Sequence, residues 1–252
     1  MEYFVRKNSI VRAIWGKSDT ILFIFAGAAA EFALNKAVDW LYYTGRLPVD
    51  PLGRLFSTVS YARAIVFSEK ESALRAIDSM TAIHADVETK RAAKIPDWAY
   101  RDVLFMLIDY SIRSFELLER KLTRSEKKEV FNVFNAVGNR MGIMGLPATF
   151  EAWEVMRGQH LVANLQRSDY TDDLYRQYRK HLGWVRFTIL LEAQKLVIPQ
   201  QVATLLGFGK ITFFYPAIVL YKISKNINVD RFLKALILPS KYKRQIWSLD
   251  KG

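Results

Sequence analysis

Apolar residues along the chain recur at three- and four-residue spacing, separated by short polar breaks, and strand-like alternation is nearly absent. That periodicity predicts an all-α fold of about ten helices. Tyr3 to Trp15 reads as a short amphipathic helix, with Phe4, Val5, Ile10, Val11 and Ile14 on its apolar side. Ser18 or Asp19 starts the next helix, which is apolar on several sides through Ala33 and extends to about Tyr43, as a central element would. Gly27 and Ala28 to Ala30 remove side-chain bulk from it, either for close helix contact or to make room for a flat ligand. Thr44 to Val49 contains Gly45 and Pro48 and reads as a loop.

The stretch from Asp50 to His84 carries the densest signals. Asp50 is suited to cap a helix and Pro51 to occupy its first position, where no amide partner is needed. Leu52, Leu55, Phe56 and Val59 form its stripe, and Arg54 and Thr58, four apart, share a face beside that stripe. Ser68 followed by Glu71 is a capping-box pattern that opens a second helix. Ala73, Ile77, Met80, His84 and Val87 then keep helical spacing, which puts His84 on the buried stripe. A buried imidazole donates to a carbonyl or binds a metal through a neutral nitrogen. Spacing alone favours the first.

Further on, Asp97 caps a long helix to about Lys121, with Val103, Leu104, Leu107, Ile108, Ser111 and Phe115 as its stripe. Asp109 and Arg113 are spaced for a surface pair. Ser125 opens a helix over Val130 to Met141, ended by Gly142, Gly145 and Pro147. Thr149 starts another to about Leu165, and Asp169 to Leu182 and Trp184 to Leu196 follow. A last amphipathic helix spans about Val229 to Leu238. His160 and His181 fall on polar faces and read as structural.

Composition narrows the chemistry. Half of the 252 residues are hydrophobic, enough for a sizeable core. The absence of cysteine excludes disulfides, thiolate nucleophiles and thiolate-held zinc or haem, and fits a cytoplasmic location. The three histidines lack the Glu-x-x-His and His-Glu-x-x-His spacings of di-iron and zinc sites. Net charge is +12, with Lys and Arg spread along the chain and densest at Lys241, Lys243 and Arg244. No nucleic-acid-reading motif accompanies that charge, so peripheral contact with anionic lipid is the better expectation. Ile21 to Phe25 is too short for a secretion signal core, and Ile211 to Tyr221 is too short to cross a bilayer.

Asp50-Pro51-Leu52-Gly53-Arg54, then Thr58, then His84 with Val87, resemble the rubber oxygenase (latex clearing protein) and MpaB-like oxygenase family. Asp102-Val103-Leu104 with Ser114, and Gly145-Leu146-Pro147, resemble later segments of that family, and the similarity covers roughly residues 20 to 205. The resemblance implies a haem b pocket between central helices. His84 is then the axial iron ligand, and Arg54 and Thr58 line the side where oxygen is handled. It implies activation of dioxygen and oxidation of an apolar, often unsaturated small molecule or polymer, with an electron donor as a further partner. The organisation expected is one helical domain over residues 1–252, with a catalytic core at about 20–205 and a C-terminal helical extension at 206–252. The chain departs from the family by carrying Glu88-Thr89 where many members have a glycine, and Asp109 where many have a histidine. A reading of another class is a non-catalytic helical protein that binds lipid or an anionic membrane, and a third keeps the haem for sensing or peroxide chemistry.

Overall fold

The computed structural model describes residues 2–43, 51–209, 212 and 216, with the side chains of 41 and 51–56 left out. Its helices are α1 (Ile10–Trp15), α2 (Ser18–Phe32), α3 (Asp39–Tyr43), α4 (Pro51–Phe67) and α5 (Lys70–Arg91). They continue with α6 (Asp97–Leu118), α7 (Arg124–Arg140), α8 (Phe150–Ala163), α9 (Asp169–Val197) and α10 (Gln200–Leu206). No strand occurs among the described residues, whose β-type pairing is confined to isolated bridges at Tyr3–Glu69 and Asn35–Leu165. The all-α expectation holds. Asp50, most of Ile211 to Tyr221, Val229 to Leu238 and the Lys241 to Arg244 charges lie outside the described residues.

Helix α2 is the centre, and it packs chiefly on α6 and α9. Ile21, Ile24, Phe25, Ala26 and Ala30 are buried on it, and from α6 the fully buried Phe105, Met106, Ile108 and Tyr110 face the same core. Gly27 decides how close the two helices come. A Cβ built there would sit 2.3 Å from the Tyr110 ring, so the missing bulk serves helix contact and leaves no slot for a flat ligand. Gly27→Ala should therefore cost about 1–3 kcal/mol through overpacking. Urea denaturation of the variant checks this.

α2 ends at Phe32, well short of Tyr43, because side chains compete for the backbone there. Asn35 accepts from Ala37 N–H at 2.9 Å and donates to Asp102 at 2.8 Å. Meanwhile Gln166 N–H reaches Leu34 O at 2.7 Å and Lys36 N–H reaches Asn164 O at 3.0 Å. The first segment also differs from expectation: residues before Ser9 are not helical, and Ser9 caps α1 through Val11 N–H at 3.1 Å.

Helices α4 and α5 form a hairpin. The capping box expected at Ser68 and Glu71 does not form; α5 begins at Lys70, with Glu69 at its N-cap and no side-chain cap. Lys70 N–H instead bonds Glu2 O at 2.9 Å, so the N-terminal segment supplies what the side chain does not. α7 does carry a capping box, made by Thr123 and Glu126. Asp97 opens α6 after Pro96, and Val103 on that helix is 41% exposed, outside the stripe assigned to it. α9 runs across the break expected at Gly183 as two helical segments joined at a kink, where Gly183 takes φ 71° and ψ 171°. Left-handed φ there requires glycine.

Candidate functional site

Helix α5 divides into two regions along its length. Ala73 and Ile77 are fully buried against Ile65 and Val137. Beyond them the stripe passes the end of α7 and meets the turn at Met141–Ile143, so Thr81, His84, Ala85 and Glu88 line a cavity of about 270 Å³ instead of a packed core. His84 is half-buried, where the spacing predicted full burial. The apolar partners on its side of the helix run out one turn earlier.

The orientation of the imidazole is specified. His84 Nδ1 lies 2.8 Å from Met80 O. A carbonyl only accepts, so Nδ1 carries the proton, and in the neutral ring the lone pair is on Nε2. The ring also meets Tyr100 edge-on, with centroids 5.3 Å apart. Tyr100 is held in turn by its hydroxyl, which donates to Glu88 Oε1 at 3.2 Å. Glu88 Oε1 accepts Ile95 N–H at 2.9 Å as well. Burial raises the Tyr100 pKa above the usual phenol range, and the Glu88 charge adds to it, so the phenol stays a neutral donor. Glu88 thus ties α5 to the start of α6 and holds the ring that flanks His84.

A protein-held haem needs a neutral imidazole whose other nitrogen is fixed by a hydrogen bond. At His84 the bond to Met80 O meets the second condition. Among the described residues no group of three or more His, Asp or Glu side chains is arranged around a common point. Space is the tighter condition, because pockets for small ligands run to about 300–1,000 Å³ and the cavity is just below that. Two of its walls are connections, Lys94–Ile95 and Met141–Ile143, and the second turns on Gly142 at φ 73°. In donor type His84 fits a haem, and the cavity beside it, about 270 Å³, is smaller than the pocket a ligand of that size fills.

Thr58 is half-buried on α4, next to Val59 in the core. It is not among the residues lining the cavity beside His84. Arg54 belongs to α4, and its side chain lies outside the described residues.

A second polar cluster is buried between α2, α6 and α8. Arg157, 5% exposed, donates to both oxygens of Glu31 at 2.5 and 2.6 Å. It also reaches Asp109 Oδ2 at 3.0 Å, and Tyr110 donates to Glu31 at 2.8 Å. Asp109 does accept from Arg113, at 2.7 Å, but it is 7% exposed, so this is an interior network and not the surface pair expected. Burial works against the Arg157 charge, and Glu31 and Asp109 outweigh it, so its pKa rises. Next to it, His160 Nδ1 bonds the buried Asp102, which also accepts from Asn35 and Asn164. His160 is thus anchored to the core through Asp102, more firmly than a polar face implies. His181 is exposed.

No helix among the described residues is long and apolar enough to cross a membrane. No curated protein and no solved structure matches the chain. A family model does, that of the ER-bound oxygenase mpaB/B'/rubber oxygenase catalytic domain, over residues 15–216. That span holds α2 through α10, with the His84 cavity and the Arg157 cluster inside it, and the chain belongs to this oxygenase family.

Proposed function

We propose that the chain is a haem b-dependent oxygenase in which His84 holds the iron through Nε2. The observation that carries this is the Nδ1–Met80 hydrogen bond on an imidazole facing a cavity, within a family of oxygenase catalytic domains. Bound haem would supply the activation of dioxygen and the redox equivalents for attack on an apolar, unsaturated substrate.

The chain's own residues would do the rest. Met80 O fixes the tautomer and makes the ring more basic. Tyr100, held by Glu88, limits rotation of the ring from its edge. By the family resemblance, Arg54 stabilises negative charge on the oxygen side or pairs with a propionate, and Thr58 donates a hydrogen bond to ligand or water. An electron donor completes the cycle. The location proposed is cytoplasmic with peripheral membrane contact, and the unit proposed is one helical domain with its core at about residues 20–205.

Purified protein is expected to show an intense Soret band, as isolated or after titration with haem. Thr58→Ala should keep that band while changing carbon monoxide affinity by up to about tenfold, the scale of one hydrogen bond. An unchanged affinity would remove Thr58 from the ligand side.

A further inference from the structure

The kink in α9 carries the most exposed aromatic of the described chain. Trp184 is 72% exposed and Val185 beside it 59%. Both follow Gly183, whose left-handed backbone turns the chain at this corner. The corner is braced on either side, because Leu182 and Phe187 pack against Ala33, Leu174 and Tyr178. Thr188 also closes the first turn after it, donating to Trp184 O at 3.1 Å. The indole is thus presented outward by a packed elbow.

Along the chain, the charge on either side of the elbow has one sign. Residues 174–191 contain Arg176, Arg179, Lys180 and Arg186 and no acidic residue. Arg179, Lys180 and His181 are exposed together with Trp184. Arg176 is paired with Asp173, toward the far end of this segment. The chain as a whole carries +12. An apolar tip with an indole, collared by Lys and Arg, matches the interfacial layer of a bilayer. There tryptophan settles at headgroup depth and cations meet anionic lipid. A second protein with an acidic groove would suit the charges, but such grooves take a single anchor, whereas here Trp184 and Val185 stand exposed side by side at the kink.

We infer that the Gly183 elbow of α9 docks the protein on an anionic membrane surface, with Trp184 and Val185 entering the interface and Arg179 and Lys180 engaging lipid headgroups. This rests on the peripheral membrane contact proposed above, assigns it a surface, and does not need haem.

Sedimentation with vesicles tests it, using the full chain and vesicles of phosphatidylcholine mixed with phosphatidylserine or of phosphatidylcholine alone. Binding is expected to the mixed vesicles and to weaken as salt is raised. Arg179→Glu with Lys180→Glu should lower partitioning by about tenfold or more, since each cation near the surface contributes. Trp184→Ser should lower it several-fold with the circular dichroism unchanged, because the side chain packs on little. Brominated lipid should quench wild-type fluorescence more than that of Trp184→Phe. The inference is overturned if the wild type ignores the mixed vesicles or binds both kinds equally. It is also overturned if the variants bind as the wild type does, or if Trp184→Ser instead abolishes a dimer seen by sedimentation velocity. None of these results bears on the Soret band, so failure here and failure of the haem reading are separable.

Discussion

Arg157→Ala should lose about 3–5 kcal/mol of stability, because it leaves the buried Glu31 without its cation and Asp109 with Arg113 alone. Glu31 is 1% exposed and Asp109 7%. In the wild type the guanidinium spans Glu31 in a paired geometry and reaches Asp109 with its remaining edge. Desolvating three charges is expensive, and only this close, multiply bonded arrangement offsets it. Alanine removes the offset and leaves the cost. Denaturation in urea, followed by circular dichroism, measures the loss. Arg124 is the control: it pairs with Glu151 and Glu154 at 3.0 and 3.2 Å, but on the surface. Arg124→Ala should change stability by less than about 1 kcal/mol. Similar losses for both variants would mean that burial does not set the strength of these pairs. Replacing Arg157 by Met together with Glu31 by Gln should be milder than Arg157→Ala, because it removes charge from both sides.

Local signals in this chain were readable and distant ones were not. Thr149 was expected to start α8 and does, its side chain accepting from Ala152 N–H. Gly183 was expected to break the helix and bends it, since its neighbours on both sides still find core partners. The Asp50-Pro51 start agrees with a helix from Pro51. In contrast, Arg157 and Glu31 are separated by 126 residues, and no spacing rule links them. One hint was present: Glu31 is an acid in an otherwise apolar stretch of α2, which demands a buried partner. Asp109 misled because its i+4 partner Arg113 is real but accounts for only one of its oxygens.

The site was half legible. Periodicity put His84 on the inward stripe of α5, but it could not show that α7 stops short of that level and leaves a cavity in place of packing. Nor could it show that Glu88 would bond Tyr100 across to α6. Family resemblance placed Arg54 and Thr58 on one helix, and the structure gives that helix, with Thr58 half-buried on it. The structure does not bring Thr58 to the wall of the His84 cavity, so its role rests on the motif.

His84→Ala carries the second large effect. Removing the only proposed protein ligand to the iron should abolish stoichiometric haem binding while leaving the fold intact. His84 is half-buried, and its contacts include a hydrogen bond within its own helix and an edge-on meeting with Tyr100, so circular dichroism of the variant is recorded beside its spectrum. His181→Ala is the matched control, since His181 is exposed on α9 and should keep full haem occupancy. His160 is unsuitable for that purpose, because its bond to buried Asp102 makes its loss a structural change.

The central claim is that one imidazole on α5 holds a haem in an oxygenase domain, and the absorption spectrum tests it most directly. Wild type, His84→Ala and His181→Ala are each titrated with haem, desalted, and recorded before and after dithionite. The account predicts a Soret band that shifts on reduction in the wild type and in His181→Ala, and none in His84→Ala. A wild type that stays colourless after titration, or a His84→Ala protein with the wild-type spectrum, would contradict it.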